Sequence, residues 1–595
     1  LLGGLIGTFS GGDYMRSSIG RIDTDMLNLF FPVLVGMMIL LAFQAKKERN
    51  VLLFSLGTGG SLFLFGWWYS KPGFTMIYFL FLIFCLTISK IQIRTILLSG
   101  FLFVLFVQPA NFISATDSIE GFFTAYFDVT KNSNSVIIEE KNIPATFPNV
   151  FKTISEVEHL PMSDVLRRIL SNTLLGWIGF LAFFGLAIFR WRVLLPLMPL
   201  LALGLLSFQS SNRFIMYLAP FIGIGLGWLI HLVVEGTFLF SKKIISQKKT
   251  EEKLEKSDSK ARRQKIDTNK KFSVLDYLVN LTTKGANFNK SSQNLTEKTK
   301  FIDQEINWWN WLRQLVLYLG MGFFFLTISS QTAISYVPGP SIHPKVYATF
   351  LEVKKRVPEG AALMTWWDYG YAITDATGMA TFHDGGGISK TPKTYFIARG
   401  LISSDPEELY DITQFLATEG IPGIVENNIS PEALMLAVRN PVKKPWDPIY
   451  LFFTADMTGK YGAISQLGSW DIVNGGSKPR GYRILNCYKI TNLEIECRGA
   501  KIDLNVGKIN KQVDLKRLIF IRNGEVIREK EFGRAQGYTI QLILAGNRIV
   551  EVQFIDEQVF QSNYNQMFLL GKYSKKLFEE SYNAFPFSRL FRIKY

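Results

Sequence analysis

Apolar runs broken by short charged clusters fill the first 240 positions. The runs at 27–43, 51–69, 74–89, 95–109, 165–189, 193–208, 214–238 and 314–330 read as membrane-spanning helices. Most approach the roughly 17–25 residues that cross a bilayer core. Beyond about residue 332 the pattern changes to that of a soluble domain. Positions 346–357 carry helical spacing. The run 446–454 reads as a strand, and short strand-like segments recur from 484 to 560, among them 502–506, 517–521 and 549–554. Turn signals such as Asn523-Gly524 lie between them. The expected fold is a polytopic α-helical membrane domain followed by a mixed α/β extracytoplasmic domain with a β-rich insert. The expected parts are a multi-span domain at 1–240 with an outer loop at 110–163, a basic cytoplasmic loop at 241–312, a last transmembrane helix at 313–331, and an outer α/β domain at 332–595.

Charge orients this arrangement. Lys46, Lys47 and Arg49 follow the first run, Lys90 and Arg94 the third, Arg190 and Arg192 the fifth, and a strongly basic stretch at 242–300 the seventh. Positive residues stay cytoplasmic. The intervening loops and everything after 330 are therefore expected outside. The net charge of +16 is absorbed by that topology, and no nucleic-acid partner is expected. Cys487 and Cys497, ten positions apart in the outer domain, are spaced so that a hairpin disulfide is permitted but not required. The chain opens inside an apolar segment without Met and reads as lacking an N-terminal part.

Three clusters bearing chemistry fall on the outer side. The first is Arg16, Asp23 and Asp25. Two carboxylates two apart can face one hard cation, although Asp25 alone also suits a helix cap. The second is Thr153-Ile154-Ser155-Glu156, in a loop long enough to act as a lid; Glu156 by itself would pass for a solvated acid. The third is Trp366-Trp367-Asp368-Tyr369-Gly370-Tyr371. Indole faces could wall a hydroxyl-bearing ligand while Asp368 accepts its O–H, or the segment could be a core strand turning at Gly370. Arg213, at the outer end of the seventh run, either snorkels or binds a lipid phosphate.

At these residues the sequence resembles the bacterial oligosaccharyltransferase catalytic subunits, the PglB type. WWDYG at 366–370 is that family's signature. The DTD at 23–25 with its upstream Arg16, TIxE at 153–156 and NRF at 212–214 follow the family's order. The resemblance implies a GT-C-like membrane domain. It also implies transfer of a glycan from a polyprenyl pyrophosphate to the Asn of a D/E-x-N-x-S/T sequon by a single subunit in the lipid bilayer. Asp23, Asp25 and Glu156 resemble the acids around Mg²⁺ or Mn²⁺, with Arg16 steadying them. Trp366, Trp367 and Asp368 resemble the pocket for the sequon Ser or Thr. Arg213 and Tyr371 resemble pyrophosphate-binding groups, and Arg168 resembles the arginine that pairs with the acid two residues before the acceptor Asn.

Two departures stand out. A further essential acid of the family's first outer loop has no counterpart in this sequence. After WWDYG, the segment Met457-Thr458-Gly459-Lys460 mixes two family patterns, so either Met457 or Lys460 could complete the hydroxyl pocket. The rivals are another polyprenyl-linked sugar transferase of the GT-C type, and a membrane transport or glycan-binding protein without catalysis. Glu426-Asn427-Asn428-Ile429-Ser430 itself reads as an acceptor sequon, which raises self-glycosylation at Asn428.

Overall fold

In a computed structural model, the described residues are 4, 25–70, 72–107, 109–127, 144–153, 160–209, 212–257, 312, 315–323, 339–340, 342–385, 392–491, 493–546 and 548–595. They fall into two compact units. One comprises 1–129 and 156–339, the other 130–155 and 340–595.

The first unit is helical. Glu48–Trp68, Thr173–Phe208 and Ile215–Thr237 are long and apolar enough to cross a membrane, and Phe30–Gln44, Pro72–Ile88 and Ile93–Val107 are shorter apolar helices. These elements follow the expected runs, with two corrections. The run at 165–189 is not one helix. Met162–Ile169 is a separate helix burying Val165, Leu166 and Ile169. Asn172 then starts a new helix by accepting from the amides of Leu174 and Leu175, which satisfies donors that a helix start leaves open. That helix runs Thr173–Leu194 and breaks from helical geometry at Arg190, where the sequence suggested a loop. The last helix of the series does not stop near 238 but extends over Ile215–Ser257.

Close backbone approach holds these helices together. A Cβ on Gly225 would overlap the Gly179 carbonyl oxygen, and one on Gly204 would lie 2.9 Å from Leu218 Cα. Small residues let helices pack by van der Waals contact where lipid removes the hydrophobic drive between them. Buried hydroxyls bond within their own helix, Thr58 to Phe54 O and Ser61 to Gly57 O.

The second unit is built on a five-stranded sheet. We label its strands β1 (Ala362–Met364), β2 (Ala380–Thr381), β3 (Ile449–Thr454), β4 (Phe578–Ala584) and β5 (Ser588–Ile593), in the spatial order β4-β5-β3-β1-β2. β1 lies parallel to both β2 and β3, with Ala362 opposite Ile449 and Met364 opposite Leu451. Every residue of β3 is buried, as expected of a strand covered on both faces. The expected β-rich insert is a nine-stranded sheet spanning Tyr482–Leu485 to Arg548–Ile555. Asn523 and Gly524 both have positive φ and turn Val513–Arg522 into Glu525–Glu531, as a two-residue hairpin of type I′ requires. Cys487 and Cys497 face each other across paired strands and form a disulfide.

Residues 144–153 belong to this second unit rather than to the helical one. The Thr146 amide donates to Ile472 O, and Trp470 Nε1 donates to Thr146 O at 3.0 Å. The Phe147 ring packs against Tyr395 and Phe396. Part of the 110–163 loop is thus anchored by aromatic contacts and backbone bonds.

Candidate functional site

Two parallel neighbours, β1 and β3, carry the site beyond their C-terminal ends, where crevices in parallel sheets form. After β1 the chain passes Thr365 and Trp366, makes a tight turn over Trp367–Tyr369, and enters the helix Gly370–Thr377. After β3 it enters the helix Asp456–Gly468 through Ala455. Because the strands run in register, both turns open at one edge.

Gly370 is required by space rather than by backbone angle. Its φ is −51°, and a Cβ there would lie 2.7 Å from His383 O. The two tryptophans part company. Trp366 is 1% exposed and belongs to the core, its ring edge-on to His383 at 5.9 Å. Trp367 is half-buried, and its Nε1 is buried without a hydrogen-bond partner. Trp366 therefore supports the turn from beneath, and Trp367 is the one left partly open.

Asp368 Oδ1 accepts from Lys460 Nζ at 2.8 Å, with the carboxylate side chain 15% exposed and the lysine 45%. Its Oδ2 is buried without a partner. Between the two candidates at the helix start, Lys460 reaches the aspartate. Met457 is buried in the core, with its sulfur 3.5 Å from the Thr454 amide. Three positions along a helix leave the two side chains about 60° apart, so they are told apart by where the helix rests: Met457 faces the core and Lys460 lies at its rim.

Sequence reasoning missed Asp456. Its Oδ1 accepts from the Thr454 hydroxyl at 2.5 Å, and its Oδ2 is buried without a partner. Burial, with the Asp368 carboxylate adding to it, pushes Asp456 up to about 6, against the Thr454 bond and Lys460. The same burial, with both aspartates, raises Tyr369 to about 12. The signal available in sequence was an acid four residues before Lys460 at a strand-to-helix junction. His383 was also missed. It is buried with neither ring nitrogen partnered, and desolvation, with Lys393 adding, lowers it to about 3.

The other site residues are placed as follows. Tyr371 is 60% exposed in the first turn after Gly370. Thr153 ends a 3₁₀ turn and donates to Val150 O at 2.7 Å. In the helical unit, Arg168 is exposed on Met162–Ile169, beside an Arg167–Asp164 ion pair of 3.1 Å. Arg213 is half-buried in the turn Asn212–Phe214 that opens the helix Ile215–Ser257. Arg16, Asp23 and Glu156 lie outside the described residues, and of Asp25 only the backbone, at the start of a short helix, is described. Among the described residues no group of three or more His, Cys, Asp or Glu could hold a metal ion. The sequon at Asn428 is built into the fold. Asn428 Oδ1 accepts from the Ala145 amide at 2.8 Å, and the Ser430 hydroxyl caps the helix Pro431–Arg439 by accepting from Ala433 N.

No family model matches the chain. Two curated relatives do, the undecaprenyl-diphosphooligosaccharide–protein glycotransferases of Campylobacter jejuni strain RM1221 and serotype O:2. Each is 22% identical over 99% of this chain and 81% of its own length. Among solved structures, the C-terminal domain of C. jejuni PglB matches 42% of this chain and all of its own (20% identity, TM-score 0.34). The archaeal oligosaccharyltransferase AglB from Archaeoglobus fulgidus, solved with an inhibitory peptide and a dolichol-phosphate, matches 96% of this chain and 63% of its own (12% identity, TM-score 0.46). The chain resembles the bacterial oligosaccharyltransferase catalytic subunits along nearly its whole length, and the relatives that carry this resemblance are glycosyltransferases.

Proposed function

We propose that this protein transfers a glycan from a polyprenyl pyrophosphate to the asparagine of a D/E-x-N-x-S/T sequon, acting as a single subunit with its site on the periplasmic side of a bacterial inner membrane. The observation that supports it best is the carboxylate of Asp368. One oxygen is held by Lys460, and the other is buried without a donor beyond the ends of two parallel strands. A buried acceptor left unpaired costs roughly 1–3 kcal/mol, which an arriving Ser or Thr hydroxyl would relieve. That is about one to two decades in affinity, enough to favour acceptors carrying the hydroxyl. The disulfide between Cys487 and Cys497 supports an oxidising compartment for this domain.

The amide nitrogen of asparagine is a poor nucleophile because its lone pair is delocalised. Glu156 is proposed to accept an amide N–H and weaken that delocalisation. Arg213 is proposed to hold the pyrophosphate, since guanidinium matches phosphate oxygens in pairs, and Tyr371 to assist it. Arg168 is proposed to receive the acid two residues before the acceptor Asn. Asp23, Asp25 and Glu156, steadied by Arg16, are the residues proposed to hold Mg²⁺ or Mn²⁺, which when bound would stabilise charge on the leaving group. Thr153, whose hydroxyl donates to Val150 O, is proposed to take part in binding the substrate beside Glu156.

The test incubates the protein with a lipid-linked oligosaccharide and a fluorescent DQNAT-type peptide, with Mn²⁺ or EDTA. The expected result is a metal-dependent mobility shift, abolished by Glu156→Ala and weakened at least tenfold in kcat/KM by Asp368→Ala. A shift indifferent to EDTA and to Glu156→Ala would overturn the metal assignment. No shift with several donors would overturn the proposed substrate.

A further inference from the structure

We propose that Asp456 is a positioning residue for the acceptor site: it is the second resting place of the Lys460 ammonium, receiving it when an acceptor hydroxyl takes Asp368. The role in catalysis rests on the function proposed above, whereas the movement of the lysine does not.

Two carboxylates lie at the shared edge of β1 and β3, and each has one oxygen satisfied and one buried without a donor. Asp368 Oδ1 has Lys460 Nζ, and Asp456 Oδ1 has the Thr454 hydroxyl. Oδ2 of each is orphaned. One ammonium thus serves a site with more acceptors than donors. Groups buried in this way nearly always find partners, so the site is incomplete as it stands.

Lys460 can reach both acids. It bonds Asp368 across the two turns. Asp456 is the first residue of its own helix and lies four positions before it, the spacing that brings an acid and a following lysine together on one face. The lysine is half-exposed, and its flexible four-carbon stem permits the swing. The charged and titratable groups facing Asp456 are Asp368 and Tyr369 from the 367–369 turn and Lys460 from its own helix. A hydroxyl donated to the orphaned Oδ2 of Asp368 draws on the same carboxylate charge that holds the ammonium at Oδ1 and so loosens that hold, and Asp456 offers the released cation a partner within one helical turn. Without Asp456, acceptor binding would strand a lysine beside a half-buried edge.

The test reads Lys460 directly. Competitive acetylation of the full chain, followed by mass spectrometry, reports how firmly each lysine is held as its ammonium. Wild type, Asp368→Asn and Asp456→Asn are expected to label at Lys460 within about twofold of one another, because one acid remains in each. The double variant is expected to label about tenfold faster, the effect of one pKa unit. A full rise in either single variant, or no rise in the double, would overturn the proposal. Acceptor peptide supplies a check that needs no double variant. It should raise labelling of Lys460 in Asp456→Asn and leave it unchanged in wild type, and equal responses would sink the idea. In turnover, Asp456→Asn should raise the peptide KM several-fold with kcat held, with Asp456→Glu restoring it. Loss of kcat alone would assign Asp456 a different role. Should no peptide be glycosylated by any variant, the functional reading fails while the labelling comparison of the four proteins still decides the lysine's movement.

Discussion

The helical unit and the α/β unit solve the burial of polar backbone in opposite ways, and their glycines record the difference. In the helical unit, Gly179, Gly204 and Gly225 sit where a side chain would collide with a neighbouring helix backbone. Large apolar groups such as Leu97, Phe101 and Ile188 point outward. In the α/β unit, glycines such as Gly378, Gly524 and Gly571 have positive φ at turns, and the apolar residues are gathered into a core around Phe396, Phe453 and Phe568. A chain intended for lipid spends glycine on helix contact, because every amide is already satisfied within its helix. A chain intended for water also spends it on reversing direction, beside close contacts such as that of Gly370, because its amides are paired between strands.

The largest expected effect breaks the helical side of that comparison. Gly225→Leu would drive a side chain into the Gly179 carbonyl and Phe183 amide, and detergent-extracted protein should lose its monodisperse gel-filtration peak. Gly236→Ala, where an added Cβ meets nothing within 4 Å, should leave the peak intact. Equal behaviour of the two would refute close packing of Thr173–Leu194 against Ile215–Ser257.

A smaller effect is expected in the insert of the α/β unit. Removing the Cys487–Cys497 bridge, by Cys487→Ser with Cys497→Ser, releases a short loop whose closure is worth about 2–3 kcal/mol. Hydrogen exchange over 487–503 should rise while exchange in β3 stays unchanged. Faster exchange in β3 as well would mean that the insert and the five-stranded sheet unfold together.

The smallest effect concerns the edge of β3. Burial holds folded Asp456 at about 6, above the usual carboxylate range. The folded state therefore favours the protonated form, and the contribution of this group to stability is full below about pH 4 and is lost as pH rises through about 6. Asp456→Asn keeps the uncharged form at every pH. It should stabilise the protein at pH 7.5 by about 1–2 kcal/mol, the shift discounted for solvent screening, with no gain at pH 4. A gain of equal size at both pH values would attribute it to packing rather than to charge.

Much of this was legible in the chain. The apolar runs placed six of the helices, since a bilayer demands long uncharged segments, and the Asn523-Gly524 turn and β3 were marked by local chemistry. The break at 170–172 was not read, although Ser171-Asn172-Thr173 interrupts the apolar run there. What starts the second helix is the Asn172 cap, whose side chain accepts from two amides. The candidate site was legible as a motif but not as an arrangement. Trp366 and Trp367 are neighbours of the same type, yet only one is in the core. Met457 and Lys460 differ in chemistry, but their directions follow from where the helix Asp456–Gly468 rests.

The sequence by itself determined the two kinds of environment, the helices that suit a membrane, and the residues able to accept a hydroxyl, because hydropathy and side-chain chemistry are local properties. Only the tertiary structure decided that Lys460 rather than Met457 meets Asp368, and that Asp456 stands beside them with an unsatisfied oxygen. Those facts follow from the parallel register of β1 and β3, which joins turns nearly ninety residues apart. A strand's partner and register are set by burial over the whole sheet rather than by the residues of the turn it carries.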